Sequence, residues 1–186
     1  MANTNQALRK SPLEGRLGGG AGVTITPVDP MSRMSLRVKD KDVKTVGKAL
    51  GLTLPTKPKT SVVSSGKDAQ VSALWIGPDE WLVLSGVDAD LLGALGKIKP
   101  VHSAVDISQR NTAILLEGPN ALDVLQAGCP QNLNDDVFPI GACSRTIFGK
   151  AEVVIWRIDA QSYHIECWRS FSDYVFKFMV QAAKGL

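Results

Sequence analysis

The segment from Gly128 to Phe148, GCPQNLNDDVFPIGACSRTIF, concentrates side chains that are capable of chemistry. It contains two of the three cysteines, Cys129 and Cys143, and the adjacent carboxylates Asp135 and Asp136. Thirteen residues separate these cysteines, with no CxxC pattern and no nearby histidine, which is a weak pattern for a metal or redox centre. Adjacent aspartates point apart on any regular element, so they do not converge as a catalytic carboxylate pair does.

The cysteines are predicted to be packed rather than reactive. Cys167 alternates with Ile165 and Tyr163 on an apolar strand face, so we expect it in the core. Cys143 is expected to be buried as well, and Cys129, which precedes a proline at a turn, to be half-buried. Three cysteines in a chain of this length are typical of a reducing compartment, and we expect a cytoplasmic protein.

The two histidines are also weak candidates for chemistry. His164 shares a strand face with Glu166, and a hairpin closed by a four-residue loop places Arg157 opposite His164. A cross-strand polar face explains these three side chains better than catalysis does. His102 precedes Asp106 by four residues, in a segment that we expect to be extended. Neither histidine has a second ligand at zinc spacing, so no metal site is predicted.

Arg145 is a candidate contact for an anion or a partner, on a strand beside Gly141 and Gly149. The alternative for Arg145 is a surface ion pair with Asp135 or Asp136. The sequence has no Ser-His-Asp order, no Gly-x-Ser-x-Gly motif and no phosphate loop. We therefore assign no catalytic or cofactor-binding residue to this chain.

Composition narrows the class of protein. The 186 residues are 44% apolar, as expected for soluble domains with real cores. No run of about 18 apolar residues occurs, so no membrane span is predicted. Residues 1–60 carry eleven Lys and Arg against four Asp and Glu, and no aromatic residue. Nucleic-acid surfaces interleave basic and aromatic residues, so we expect a solvated or protein-docking surface here instead.

Residues 1–30 are predicted to form an extended arm that becomes ordered on a partner. The GGGAG run lacks the Lys-Ser/Thr of a P-loop and the preceding strand of a dinucleotide site. Arg16 and Leu17 are the candidate partner contacts in this arm. The arm holds more apolar residues than a plain linker needs, namely Pro12, Leu13, Leu17, Val23 and Ile25.

From residue 31 the sequence predicts a strand, a helix near Asp40, a hairpin with the loop Gly77–Glu80 and a helix from Asp88. The second half repeats this order. Residues 35–52 align with residues 113–130 without a gap, strand on strand and helix on helix.

The repeat ends in a hairpin with the loop Asp159–Ser162 and a last helix. Ser170 and Asp173 are predicted to form a capping box at the start of this helix. Its apolar stripe is predicted to contain Phe171, Tyr174, Val175, Phe178, Met179 and Ala182.

These patterns predict an α+β fold of two duplicated βαββα, ferredoxin-like units, with mostly antiparallel sheets and helices packed on them. The predicted division is an arm at residues 1–30, a first unit at 31–100 and a second unit at 101–186, the two units packed as one body. From the residues alone, a binding or assembly module is favoured over a self-sufficient enzyme.

Between Asp106 and Ala182 the sequence contains, in this order, Gly-Pro, Gly-Cys, Phe-Pro-x-Gly, Arg-Thr and a closing Arg-Ser-Phe. This ordered series resembles the gamma-subunit family of bacterial heterotetrameric sarcosine oxidase. The front half adds the hairpin sequence WIGPDEWLVLS and a Ser-Pro-Leu near the start. Each short motif is common, but the ordered series is specific.

The resemblance implies a fold similar to the folate-binding region of the glycine-cleavage T-protein, and assembly with alpha, beta and delta subunits. The resemblance also implies that the assembly is an oxidoreductase that oxidises the N-methyl group of sarcosine with oxygen as the acceptor. This reaction leaves glycine and reduces oxygen to hydrogen peroxide, and the one-carbon unit leaves as formaldehyde or passes to tetrahydrofolate. In the family, FAD and FMN belong to the beta subunit and its contacts, NAD and the folate site to alpha, and zinc to delta. The gamma chain has no assigned catalytic residue, so we expect a role in assembly and in positioning the larger subunits.

On this view, segment 128–148 connects a helix to a sheet. Pro130 and Pro139 stiffen it, and Gly141 permits a turn. Its apolar residues are expected to pack into the core, namely Val137, Phe138 and Ile140.

Two other functions remain open. A stand-alone folate-binding or aminomethyl-transfer protein needs an arginine and an acidic residue that converge in one pocket, for which Arg145 and Asp106 are available. An RNA-modification accessory is the second, and the aromatic-free basic front argues against it.

Overall fold

The structure, a computed structural model, describes residues 10–64, 70–87 and 89–186. Asp88, the predicted start of a helix, and residues 1–9 of the predicted arm lie outside the described residues. The strands are β1 (Gly18–Gly20), β2 (Val23–Pro27), β3 (Ser32–Val38), β4 (Ser61–Val63), β5 (Val71–Gly77), β6 (Glu80–Ser85), β7 (His102–Asp106), β8 (Asn111–Glu117), β9 (Cys143–Phe148), β10 (Ala151–Asp159) and β11 (Ser162–Trp168). The α-helices are α1 (Val43–Ala49), α2 (Leu91–Leu95), α3 (Ala121–Gln126) and α4 (Ser172–Ala183).

The strands form two antiparallel sheets with the same connectivity. The first sheet has the order β4-β5-β6-β3-β7, and the second has the order β1-β2-β8-β11-β10-β9. One unit runs β3-α1-β4-β5-β6-α2 and the other runs β8-α3-β9-β10-β11-α4. The predicted α+β class with duplicated units is confirmed. Each unit also contains one strand more than the βαββα pattern, β4 in one and β9 in the other. The sequence did not indicate β4, whereas β9 is the strand predicted to hold Arg145.

Local signals explain where the helices begin and which face they bury. Val43 and Val46 of α1 are buried on the first sheet, because residues three apart share a helix face. The Asp90 side chain accepts a hydrogen bond from the Gly93 amide at 2.8 Å and caps α2. Among the described residues, no helix is both long and apolar enough to cross a membrane.

Strands cross between the units, and here the structure differs from the predicted boundaries. β7 lies within the predicted second unit, yet it pairs with β3 in the first sheet. β2 lies within the predicted arm, yet it pairs with β8 in the second sheet. The segment that precedes each unit therefore completes the sheet of the other unit, a long-range pairing that local periodicity does not reveal.

The arm is consequently ordered, from residue 10 onward, by contacts within this chain. Leu13 and Ile25 are fully buried in the core of the second sheet. Gly18 and Gly20 of the GGGAG run lie so close to α4 that a Cβ at either position would overlap it. These glycines thus permit close packing of a strand on a helix, and they do not precede a helix as a phosphate loop does.

Both predicted hairpins form, and both are tighter than a four-residue loop. Gly77 pairs with Glu80, and Asp159 pairs with Ser162. Each hairpin therefore has two residues in its turn, the length that best matches the twist of antiparallel strands.

A β-bulge corrects the predicted register of the second hairpin. The bulge lies between Arg157 and Asp159 on β10 and shifts the pairing by one residue. Arg157 lies opposite Tyr163, and His164 lies opposite Trp156. The prediction that Arg157 faces His164 is wrong, because a shift of one residue moves a side chain to the other face of the sheet.

The two sheets pack face to face, with helices on the outside. α1 and α2 cover the first sheet, and α3 and α4 cover the second. Each sheet has an apolar core under its helices, and a third apolar core lies between the two sheets. The residues of this third core are Leu74, Leu82, Leu84, Ile107, Cys143 and Val154. The molecule therefore has four layers, and the central strands of each sheet are buried on both faces.

Helix α4 differs from its prediction at the start. Ser170 and Asp173 form no capping box, because a 3-10 turn, Arg169–Phe171, leads into the helix. Val175 and Met179 are fully buried as predicted, whereas Phe171 and Tyr174 are 43% and 39% exposed. The apolar stripe is therefore narrower than predicted.

Candidate functional site between the two sheets

A buried ion pair joins the two sheets. Arg33 on β3 donates through Nε to both carboxylate oxygens of Glu166 on β11, at 2.7 and 2.9 Å. These side chains are only 3% and 1% exposed. His164, also on β11, places Nε2 2.8 Å from Glu166 Oε1. We call Arg33, His164 and Glu166 the inter-sheet cluster.

The cluster holds Glu166 in its charged form. Burial alone raises the pKa of this carboxyl, but the hydrogen bond to His164 and the positive charge of Arg33 outweigh burial, so the pKa lies below its ordinary value. A charge at this depth is tolerated only when it is paired and hydrogen-bonded. Arg33 supplies that pairing from the opposite sheet.

The connection from β7 to β8 supports Arg33 from the backbone side. The Arg33 amide donates to the Ser108 hydroxyl oxygen at 2.8 Å. That hydroxyl donates to Asp106 Oδ1 at 2.5 Å, and the Ser108 amide donates to the same oxygen at 2.8 Å. The polar contacts therefore extend from the cluster to the end of β7.

Sequence analysis found His164 and Glu166 but missed Arg33. Met34 and Leu36 of β3 face the helices, and Arg33 lies on the alternate face, which would be in water if the sheet were covered on one side only. The second sheet covers that face instead. The available signal was a charge within an apolar strand, but the partner lies 133 residues away in the chain.

A cleft of about 490 Å³ borders the cluster at His164. Trp156 lines the same cleft, and its indole Nε1 is buried without a hydrogen-bond partner. The hydroxyl-bearing residues Ser72 and Ser85 lie beside it, and the described residues that line the cleft include no Lys, Arg, Asp or Glu. The described lining therefore offers no positive side chain to an anionic cofactor, and the Ser85 hydroxyl already donates to the Gln70 carbonyl.

Arg145 forms a second ion pair between the sheets, at their rim. Its Nη1 and Nη2 donate to the two carboxylate oxygens of Glu80 at 3.3 and 3.2 Å. The two side chains are 39% and 16% exposed. The predicted pairing of Arg145 with Asp135 or Asp136 is not the one observed, because Asp135 binds Arg157 at 2.5 Å.

Segment 128–148 connects α3 to β9 as predicted, and Arg157 holds its middle. Arg157 Nη1 donates to the Phe138 carbonyl at 3.0 Å, and the Phe138 ring is fully buried. Gly141 has φ +85°, which confirms the predicted turn. Val137 and Ile140 are 44% and 58% exposed, so the prediction that they pack into the core is wrong.

The three cysteines are buried. The Cys143 thiol donates to the Thr60 carbonyl at 3.2 Å, and burial raises its pKa to about 12. Burial also raises the pKa of Cys167 to about 12. The predicted burial of both is confirmed, and Cys129, at 7% exposed, is more buried than predicted.

The candidate contacts of the arm lie beside β1, at the edge of the second sheet opposite Arg145. Arg16 forms an ion pair with Asp173 and lies 5.8 Å from the centre of the Phe176 ring. Leu17 is 82% exposed. The three candidate partner contacts therefore belong to two separate edges, since Arg145 lies on β9.

His102 and Asp106 lie on β7, in an extended segment as predicted. His102 Nδ1 is 2.7 Å from the Pro100 carbonyl oxygen. Arg145 and Asp106, the pair available for folate, lie in different sheets. Within the described ranges, no group of three or more His, Cys, Asp or Glu residues is arranged to hold a metal ion.

The fold of this chain is similar to that of a solved structure. The glycine cleavage system aminomethyltransferase T of Bartonella henselae has a TM-score of 0.63 to this chain, at 13% identity, and the match covers 90% of this chain and 47% of that protein. By its fold, this chain is therefore a T-protein-like α+β protein.

A narrower assignment comes from the sequence. The model of the sarcosine oxidase gamma subunit family matches residues 39–185. Sarcosine oxidase subunit gamma of Corynebacterium sp. strain P-1 is 30% identical over 141 residues, which are 74% of this chain and 67% of that protein. A chain of the heterotetrameric sarcosine oxidase of Corynebacterium sp. U-96, solved with pyrrole 2-carboxylate, has a TM-score of 0.81 at 27% identity, covering 95% of both chains. The chain belongs to the sarcosine oxidase gamma subunit family, which confirms the resemblance.

Proposed function

We propose that this chain is the gamma subunit of a heterotetrameric sarcosine oxidase and that it assembles with alpha, beta and delta subunits. The observation that carries the proposal is the agreement with a chain of a solved oxidase over 95% of both chains. The proposed reaction of the assembly is the oxidative demethylation of sarcosine to glycine, with oxygen as the acceptor that is reduced to hydrogen peroxide. Its one-carbon product is formaldehyde or 5,10-methylenetetrahydrofolate.

The proposed role of this chain is assembly and positioning of the larger subunits, without a catalytic residue of its own. In support, two of its three thiols are poor nucleophiles, because burial raises the pKa of Cys143 and of Cys167 to about 12 and keeps both protonated near neutral pH. Glu166 is occupied by Arg33 and His164. FAD, FMN, NAD, zinc and tetrahydrofolate are proposed to bind the other subunits.

Arg16, Leu17 and Arg145 are the proposed partner contacts, in a cytoplasmic assembly. The large exposure of Leu17 supports this for the arm, since covering an apolar side chain of this size favours association. Part of the Arg145 side chain stays exposed while it binds Glu80. Arg145 can therefore donate a further hydrogen bond to an acidic group of a partner.

The test is to tag this chain in its native host and purify it gently. Subunit masses, flavin absorbance and sarcosine-dependent peroxide production are then measured on the same fraction. Co-purification of three other chains with flavin colour and peroxide production is expected. Recovery of the chain alone, colourless and monodisperse, would overturn the proposal, and titration of the isolated chain with folate would then test the folate-binding alternative.

A matched pair of variants tests the arm. Leu17→Ser is expected to lower recovery of the other chains about fivefold or more, the effect of losing about 1 kcal/mol at an interface. Val63→Ser, on the first sheet and 39% exposed, is the control and should leave recovery unchanged. Equal recovery with both variants would exclude Leu17 as a contact.

A further inference from the structure

The outer edge of β7 is an unpaired strand edge. β7 ends the first sheet and pairs with β3 alone. The Ile107 amide donates to the Arg33 carbonyl at 2.9 Å, which sets the alternation of peptide groups along β7. By this alternation, the N–H and C=O groups of His102 and Ala104 point away from β3 and are available to a further strand.

The second sheet shows what can occupy this position. β2 lies beside β8 as β7 lies beside β3. On its outer edge β2 pairs with β1, antiparallel over Gly18–Gly20. Since the two units share their connectivity, the equivalent of β1 would lie against β7. In the described part of the first sheet that place holds no strand.

The side chains along β7 show the same lack of cover. Val101, just before the strand, is 77% exposed, and Val105 is 53% exposed. Val101 and Val105 lie on the same face of the extended segment as Ile107, which is buried between the sheets. The strand HSAVD contains no lysine or proline and has no bulge, so it lacks three of the protections that free edges often carry.

We propose that an extended segment of another subunit adds to β7 as an antiparallel sixth strand and covers Val101 and Val105. The proposal rests on the proposed function, because it takes the partner to be a subunit of the same assembly. The segment would hydrogen-bond to the outward peptide groups of His102 and Ala104 and place apolar side chains on the two valines. An assembly of four different chains favours another subunit over a second copy of this one.

The test is hydrogen–deuterium exchange on the full chain alone and in the purified assembly. In the assembly, exchange of the peptide that covers residues 101–106 is expected to slow about tenfold or more, because its outward amides become hydrogen-bonded. Unchanged exchange there in an intact assembly overturns the strand addition and leaves the proposed function standing. Failure to isolate any assembly overturns both. Slow exchange in the chain alone that depends on its concentration shows self-pairing and overturns the choice of partner.

A proline variant provides a second readout. Ala104→Pro removes an outward amide without removing a hydrogen bond to β3, a change that edge strands tolerate. Its co-purification with the other subunits should fall about tenfold or more, whereas Ala104→Gly, which keeps the amide, should co-purify normally. Normal recovery of the assembly with Ala104→Pro contradicts the proposal.

Discussion

Two ion pairs join the same two sheets at different depths. Arg33 and Glu166 lie in the interior, 3% and 1% exposed. Arg145 and Glu80 lie at the rim, 39% and 16% exposed. Both pairs consist of an arginine and a glutamate. Any difference in their contribution to the free energy of unfolding therefore comes from their environment. If one partner of the rim pair is removed, water solvates the charge of the other. If one partner of the interior pair is removed, the other charge stays buried in an apolar layer without compensation.

The arm shows the same contrast for apolar residues. Leu13 is fully buried in the core of the second sheet, and Leu17, four residues later, is 82% exposed. One leucine belongs to the fold, and the other is available for binding. Burial within the four layers therefore determines whether a leucine or an arginine stabilises the fold or is available for binding. This can be tested with variants of buried and exposed residues of the same type.

The largest effect is expected from Arg33→Met, which leaves the buried Glu166 carboxylate without its arginine counter-charge. The free energy of unfolding should fall by about 3–5 kcal/mol, measured by urea denaturation. Arg37→Met on the same strand, where the side chain is 59% exposed, is the control and should cost under about 1 kcal/mol. Similar losses in the free energy of unfolding for the two variants would show that burial does not determine how much each arginine contributes to stability.

The next effect is expected from Leu13→Ala, which removes a fully buried side chain from the core. The loss should be about 2–5 kcal/mol. Leu17→Ala should stay within about 0.5 kcal/mol of the unmodified chain, measured by the same denaturation. If Leu13→Ala were neutral, the first part of the arm would not be integral to the fold.

Glu166→Gln leaves the buried Arg33 guanidinium without its counter-charge but keeps an amide oxygen that can accept a hydrogen bond from it. The cost at pH 7 should therefore be about 3 kcal/mol, the low end of the range for breaking a buried ion pair. Because the pKa of Glu166 is lowered in the folded protein, its contribution is complete above an unfolded pKa of about 4.3 and is lost as the pH falls through the lower folded pKa. The stability difference between the unmodified chain and Glu166→Gln should therefore narrow in acid. A gap that stays constant down to the acid limit of folding would contradict the assigned pKa direction, and the exposed Glu152→Gln serves as control.

The smallest effect is expected from Arg145→Ala at the rim, about 0–1 kcal/mol. Salt screens exposed charges, so adding sodium chloride should reduce this difference further. The Arg33→Met difference should persist in salt, because the interior pair is shielded from ions. A loss above about 2 kcal/mol for Arg145→Ala would show that the rim pair contributes like a buried one.

Sequence analysis predicted the features that depend on neighbours along the chain. Strand β8, the two hairpins, the turn at Gly141 and the burial of Cys143 and Cys167 follow from periodicity and turn chemistry. The prediction failed at Arg157, because a bulge displaces the register by one residue. It also failed at Val137 and Ile140, because apolar character alone does not show which side of a connector faces the core.

By itself, the sequence determined the duplicated order of strands and helices, the packed thiols and the family, since these depend on local periodicity and on ordered motifs. Only the tertiary structure decided that the sheets face each other, that β2 and β7 are exchanged between units and that Arg33 meets Glu166. The physical reason is that these contacts join residues far apart in the chain, and their energy comes from burying whole faces together. A face that would otherwise be solvated thereby becomes an interior one.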